Sequence, residues 1–178
     1  SAANGANLTV TNLTIDCTAS YCQRGINYNT NGTLVLDGVT VKGTNLSYAL
    51  NMPGSADNAT VTISNSTLKG CIALNVWGEN SEINATNTTF TTVDNAEHEG
   101  YAAVALNNDG TTSAEGTTIN IIGGAIAIEG NNADDSSASS NATSTGVINI
   151  SETTEVEGEH KVMIAIISYG DNSYSFTT

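Results

Sequence analysis

Cationic side chains that could bind an anion or act as a base are scarce in this sequence. Its 178 residues contain four basic residues (Arg24, Lys42, Lys69 and Lys161) against 18 acidic ones, and the formal net charge is −14. Lys42 and Lys69 are predicted to stack on neighbouring strands, where they would form an anion-binding pair. The alternative is that the two lysines keep a strand face soluble and cover apolar surface with their stems.

Acid–base or metal chemistry would need carboxylates or histidines that converge. The Asp134-Asp135 pair lies in a serine-rich stretch rather than in a strand, and His98 and His160 are flanked by glutamates. None of them shares a strand register with a second ligand or base, so solvated loop residues and titrating surface histidines are the favoured interpretation. The sequence therefore predicts no catalytic residue, no metal site and no cofactor.

Three aromatic residues are the remaining candidates for a binding site. Trp77 follows a predicted strand, and Tyr48 and Tyr101 lie near the same edge of neighbouring repeats. Rings stacked along this edge would grip the apolar face of a sugar. The structural alternative is that Trp77 only caps a loop against the wall of the fold.

Cysteine is sparse in the chain. Cys17 and Cys22 are five residues apart and could close a small loop as a disulfide in an oxidising compartment. Cys71 would then be a free thiol, and free thiols are most often buried.

The elements that must position these residues follow from an internal repeat. Six segments share the pattern apolar-x-apolar-x-bend-x-x-apolar, in which x is any residue. The last apolar position is filled in most of the copies. Alternation marks short strands with one buried face, and the unequal spacing of the copies suits coils with loops of different length. The apolar pairs are Leu8/Val10, Leu34/Leu36, Val61/Ile63, Ile83/Ala85, Ile119/Ile121 and Ile148/Ile150, followed by Ile15, Val41, Leu68, Phe90 and Ile126.

A second recurring strand lies between these segments, at 25–28, 49–52, 73–76 and 105–107. Each coil would therefore contain three short strands. Helix is hard to place, because Asn, Thr, Ser and Gly dominate and no stretch has a sustained apolar period of 3.6 residues. The predicted fold is all-β, a single right-handed parallel β-helix of about six coils over 1–178, with surface loops near 93–100 and 131–146.

The pattern resembles the pectate-lyase-like superfamily of parallel β-helices, in which an Asn at the tight bend stacks from coil to coil. Asn12, Asn65 and Asn87 occupy that position here, with Gly38 and Gly123 interrupting the column. The resemblance implies that the three Asn side chains turn inward as a structural ladder. It implies fold more than function, since this coil carries lyases, hydrolases, phage spikes and adhesins.

In the family that the pattern resembles, lyases place calcium-binding aspartates beside a basic residue, and glycoside hydrolases place aspartates on consecutive coils. Neither arrangement is visible in this sequence.

A different functional class is suggested by one threonine per coil, since regular threonine arrays occur on ice-binding solenoids. Charged residues in the neighbouring column, Asp16, Lys42 and Lys69, weigh against an ice-binding plane. The threonines are Thr14, Thr40, Thr67, Thr89 and Thr154.

The expected function is that of a non-catalytic extracellular or cell-surface module, structural, adhesive or filament-forming, that binds polysaccharide or a cell-surface glycan. The alternatives are an enzyme acting on acidic polysaccharide and an ice-binding protein. The acidic surface disfavours nucleic acid, and no apolar run is long enough for membrane insertion. Ten glycosylation sequons occur. Neither end of the predicted rod resembles a cap, which suggests head-to-tail self-association or continuation in a longer chain.

Overall fold

The computed structural model describes residues 5–93, 102–108, 112, 114–129, 146–156 and 164–168, with the backbone alone at 108, 156 and 164–168. These residues form strands and turns, and none of them belongs to a helix that could cross a membrane. The strands are β1 Leu8–Thr11, β2 Thr14–Asp16, β3 Arg24–Asn27, β4 Thr33–Asp37, β5 Thr40–Lys42, β6 Tyr48–Met52, β7 Thr60–Ser64, β8 Thr67–Gly70, β9 Ile72–Val76, β10 Glu82–Val93, β11 Ala102–Asn108, β12 Thr118–Glu129, β13 Val147–Ile150, β14 Glu155–Val156 and β15 Ile164–Ser168.

Every strand pairs in parallel with the equivalent strand of the next coil. One sheet has ten strands, because β10 and β12 run through the bend and pair with β7 and β13 before it and with β8 and β14 after it. The second sheet has the order β15-β11-β9-β6-β3. The chain is therefore a β-solenoid of stacked parallel strands, and the predicted all-β fold class is confirmed.

The three predicted core columns are confirmed residue by residue. Leu8 pairs with Leu34, and the column continues through the first apolar residue of each later repeat to Ile148. Leu34, Leu36 and Val41 are fully buried. A shift of one residue would turn each apolar set towards solvent, so the alternation excludes such a shift.

The tight bend after the first strand of each coil has a left-handed backbone. Asn12, Gly38, Asn65, Asn87 and Gly123 have φ values of 50°, 65°, 49°, 48° and 66°. At two of these positions a side chain would crowd the neighbouring coil: a Cβ on Gly38 would lie 2.6 Å from Asn12 Oδ1, and one on Gly123 would lie 2.7 Å from Asn87 Oδ1. Asn and Gly thus complement one another from coil to coil.

A second left-handed bend, which sequence reasoning missed, precedes the same strands. Four residues with positive φ each lie three positions before the first core residue of their coil; they are Gly5, Asn58, Asn80 and Gly116. A Cβ on Gly116 would lie 2.4 Å from Asn80 Oδ1, so the pairing of Asn with Gly recurs here.

Two expected alignments are wrong. Ala125 pairs with Glu155, so Thr154 does not continue the threonine column; a turn in which the Thr154 amide donates to Ser151 delays the strand by one residue. Leu106 pairs with Val76 rather than with Leu74, because Val104 takes the place opposite Leu74.

Candidate functional site

An open cavity of about 320 Å³ lies against the outer face of the five-stranded sheet. This volume is at the small end of the range of about 300–1,000 Å³ typical of ligand pockets. The wall is formed by Arg24, Tyr48, Asn51, Pro53, Gly54, Asn75, Trp77 and Thr112.

A repeated break in the alternation of side chains places Tyr48 and Asn51 on the same face of the sheet. Strict alternation would turn residues three positions apart to opposite faces. Ala49 and Leu50, however, both lie in the central core, and the pairing of β6 with its two neighbours skips Ala49. The same irregularity recurs at Ala73, so it is repeated from coil to coil.

An amide ladder forms the polar floor of the cavity. Asn51 Nδ2 donates to Asn27 Oδ1 at 2.7 Å, and Asn75 Nδ2 donates to Asn51 Oδ1 at 2.7 Å. Asn107 Nδ2 extends the ladder to Asn75 Oδ1 at 2.8 Å and also donates to the Val76 carbonyl at 3.0 Å. Asn51, Asn75 and Asn107 are only 5%, 3% and 3% exposed, so the ladder provides the partners that buried amides require.

A second amide ladder lies on the other sheet, nearer to solvent. Asn120 donates to Asn84 at 2.9 Å, and Asn149, which is exposed, donates to Asn120 at 2.8 Å. The two ladders share their chemistry and differ in burial.

Arg24 and Tyr48 form one side of the cavity from adjacent strands. They begin β3 and β6 and pair directly in the sheet, and the Tyr48 amide donates to the Gln23 carbonyl at 2.9 Å. A disulfide between Cys17 and Cys22 closes the turn that leads into β3. The position of Arg24 is therefore defined by both sheet pairing and a covalent cross-link.

Trp77 forms the opposite side, directly after β9. Its amide donates to the Met52 carbonyl of the preceding coil at 2.8 Å, and its side chain is half-buried. Thr112 packs against Gly54, where a Cβ would lie 2.4 Å from Thr112 Cγ2. The cavity thus has two aromatic residues, amide groups and one guanidinium in its described wall.

The groups described in the wall are ones that can stack on a ligand and hydrogen-bond to it. The residues described in the wall include no carboxylate, histidine or cysteine that could transfer a proton or attack a bond. Over the described chain, no three His, Cys, Asp or Glu side chains form a group that could hold a metal ion. Aromatic rings and planar amides are instead the groups that hold sugar faces and hydroxyls.

The predicted binding residues do not all meet at this cavity. Tyr48 and Trp77 do, whereas Tyr101 lies outside the described residues, as do His98 and His160. The Asp134-Asp135 pair and most of both predicted loops also lie outside them, although Val93 belongs to β10.

Lys42 and Lys69 lie on the ten-stranded sheet and do not line the cavity. They pair on β5 and β8, as their spacing predicted. Lys69 Nζ forms an ion pair with Glu129 at 2.5 Å, and Lys42 pairs in register with Asp16. Hydrogen bonds from Thr18 are the main cause of the lowered pKa of Asp16, and the charge of Lys42 adds to it.

The side chains at the tight bend do not form the expected inward ladder. Asn12, Asn65 and Asn87 are exposed, and Gly38 and Gly123 interrupt their column. Asn65 Nδ2 donates instead to Asp37 Oδ1 at 2.9 Å, and hydrogen bonds from Ser64 and Asn65 lower the pKa of the Asp37 carboxyl.

Sequence reasoning missed Arg24, Asn51, Asn75 and Thr112 as residues of one site. The asparagines left a signal, since an Ile-Asn or Leu-Asn pair recurs at Asn27, Asn51 and Asn75 in successive coils. The sequence has no such signal for Arg24 and Thr112, because the residues around them do not show on which side of a coil they lie.

The chain is thus a parallel β-solenoid with an open cavity, lined by aromatic and amide side chains, on its outer face. Comparisons of the chain with known protein families, with curated proteins and with solved structures found no match.

Proposed function

We propose that this chain is a non-catalytic, extracellular or cell-surface module that binds a saccharide in the cavity between Arg24 and Trp77. The observation that carries the proposal is the convergence of Tyr48 and Trp77 with the buried amides of Asn51 and Asn75 around one open cavity. Sugars offer apolar faces for stacking and hydroxyls for hydrogen bonds, so this wall matches both parts of their surface.

The amide ladder supports a preorganised site. Each amide of the floor is fixed by its neighbours in the next coils, so a ligand would not have to order these side chains on binding. An adhesive role follows from this arrangement, because a rigid rod presents the site at a fixed position on its outer face.

The experiment uses the sole tryptophan of the chain as its reporter. Trp77 is the only Trp in the sequence, so intrinsic fluorescence and the indole N–H resonance report directly on the cavity. A panel of monosaccharides and short glycans is titrated into the protein, and we expect saturable changes for a subset of them. Calorimetry then compares the Trp77→Ala variant with Tyr21→Ala, which removes an aromatic ring that is 87% exposed and lies outside the cavity wall.

Loss of binding in Trp77→Ala but not in Tyr21→Ala is the expected result. A protein that binds no member of the panel, or two variants that bind equally well, would refute the proposal. The enzymatic alternative is tested on the same samples: we expect no cleavage of polygalacturonate or alginate with or without Ca²⁺, and measurable turnover would replace a binding role with a catalytic one.

The extracellular location is supported by the disulfide, since structural disulfides persist in oxidising compartments. Membership of the pectate-lyase-like superfamily is part of the proposal and is supported by the parallel register and the left-handed Asn and Gly bends.

Stacking of a further coil on the first one is a second part of the proposal. Leu8 and Leu13 in the first coil are 43% and 46% exposed, whereas Leu34 in the next coil is fully buried. This exposed end suits a coil from another copy or another segment. Size-exclusion chromatography over a concentration series tests self-association, and Leu8→Lys should abolish any concentration dependence. A protein that stays monomeric at every concentration would contradict self-association.

A further inference from the structure

The cationic residues of the described chain differ in whether an acid faces them. Lys69 is paired with Glu129, and Lys42 lies opposite Asp16 in the sheet. Arg24 is exposed, and no carboxylate among the described residues lies within ion-pair distance of its guanidinium.

The position of Arg24 would let its guanidinium bind a ligand. Its side chain lines the cavity, and β3 is held there by pairing with β6 and by the disulfide that precedes it. A guanidinium presents N–H donors in a planar fork that matches the two oxygens of a carboxylate. The cavity therefore already contains the counter-charge for one carboxylate.

The amide floor adds further donors. The NH₂ group of an asparagine has two hydrogens. Asn51 and Asn75 each use one of them in the ladder, and no other described residue accepts the second. Both residues line the cavity with Arg24, so the wall is rich in donors on this side. Such a surface favours a ligand that supplies acceptors, and a carboxylate is the strongest acceptor that sugars carry.

The overall charge limits the number of anionic groups that the ligand can carry. With a net charge of −14, the protein repels a polyanion over distances shorter than the screening length of the salt solution. A single carboxylate in contact with Arg24 gains local attraction and experiences little of this repulsion. The cavity volume of about 320 Å³ also suits a short unit rather than a long chain.

We infer that the ligand of this cavity is a saccharide that ends in one acidic sugar, whose single carboxylate binds Arg24 while its ring contacts Tyr48 and Trp77. This inference rests on the proposed function of the same cavity. It excludes polyanionic chains as the preferred ligand and assigns to Arg24 the selection of an acidic over a neutral sugar.

The experiment compares sugars that differ only in the carboxylate. Glucose and glucuronic acid form a matched pair, N-acetylneuraminic acid provides a second acidic sugar, and a glucose sulfate ester provides an anion without a planar carboxylate. Each is titrated while the indole N–H resonance of Trp77 is followed. We expect the acidic sugars to bind about ten- to a hundredfold more tightly than glucose, as one charge-assisted pair would provide.

Two variants of equal charge separate contact from long-range attraction. Arg24→Gln and Lys42→Gln each remove one positive charge, but only Arg24 lines the cavity. Arg24→Gln should reduce the preference for glucuronic acid over glucose to less than about threefold, whereas Lys42→Gln should retain the preference. Arg24→Lys should retain only part of it, because an ammonium lacks the fork.

The outcomes separate the inference from the proposal on which it rests. Equal affinity for glucose and glucuronic acid would refute the inference and leave saccharide binding intact, whereas binding of neither sugar nor of any other glycan would refute the proposed function itself. Equal loss in the two Gln variants, a preference for the sulfate ester, or tighter binding of polygalacturonate than of glucuronic acid at low salt would each overturn the assignment of one carboxylate to Arg24.

Discussion

Removal of one buried amide from the ladder beneath the cavity should measurably destabilise the whole fold. In Asn75→Ala, Asn51 Oδ1 loses the donor that lies at 2.7 Å, and Asn107 Nδ2 loses an acceptor at 2.8 Å. Asn107 retains its bond to the Val76 carbonyl, but Asn51, which is 5% exposed, has no other donor to its side-chain oxygen within the described structure. The substitution therefore leaves one buried acceptor unsatisfied.

The magnitude follows from these two contacts. Each hydrogen bond contributes about 1 kcal/mol net, and an unsatisfied buried acceptor costs about 1–3 kcal/mol. Because Asn51 borders the cavity, water can reach it and the second cost lies at the lower end. We expect a loss of about 2–3 kcal/mol in the free energy of unfolding, which for a chain of this length corresponds to a decrease in Tm of about 4–12 °C.

The assay is guanidinium unfolding followed by circular dichroism, with Asn149→Ala as the matched control. Asn149 donates one ladder bond at 2.8 Å but is exposed, so its removal leaves no buried group without a partner and should cost less than about 1 kcal/mol. Equal destabilisation of the two variants, or an unchanged midpoint for Asn75→Ala, would show that burial of the ladder does not contribute as argued.

Three further predictions concern other parts of the coil. Burial raises the pKa of the Cys71 thiol to about 11, so a thiol reagent at pH 8 should label Cys71 far more slowly in the native protein than after unfolding; equal rates would contradict its burial. Because hydrogen bonds lower the folded-state pKa of Asp37, its carboxylate should stabilise the fold above the unfolded-state pKa and lose this contribution as the pH falls through the folded-state pKa; in an NMR titration, Asn65→Ala should raise that pKa, and an unchanged value would exclude the bond as a cause. Gly38→Ala should cost about 1–3 kcal/mol because its φ is 65° and the new Cβ would approach Asn12, and Asn12→Gly in the same chain should recover part of the loss; stability unchanged by Gly38→Ala would refute this account of the bend.

The sequence alone determined the solenoid and the register of its core. Alternating apolar residues fix which side of a strand is buried, and a repeat of the same pattern leaves one way to stack the copies so that every apolar side chain points inward. The pairing of Leu8 with Leu34 and of Lys42 with Lys69 followed from this pattern. The predicted register was wrong where the pattern weakened. At Thr154, a turn shifts the last short strand by one residue.

The site was decided by the tertiary structure. At Ala49 and Leu50 two consecutive residues both lie in the core, and this break in the alternation on which sequence reasoning depends puts Tyr48 and Asn51 on one face. The inward ladder expected at the bend was misplaced because interior glycines interrupt that column, while uninterrupted asparagines lie in the strands of the other sheet. Arg24 and Trp77 are 53 positions apart in the sequence, and they line one cavity only because two turns of the coil bring β3 and β9 into the same sheet. Periodicity determines what is buried along a strand, whereas the length of each turn determines which outer residues become neighbours, and that length is a property of the folded coil.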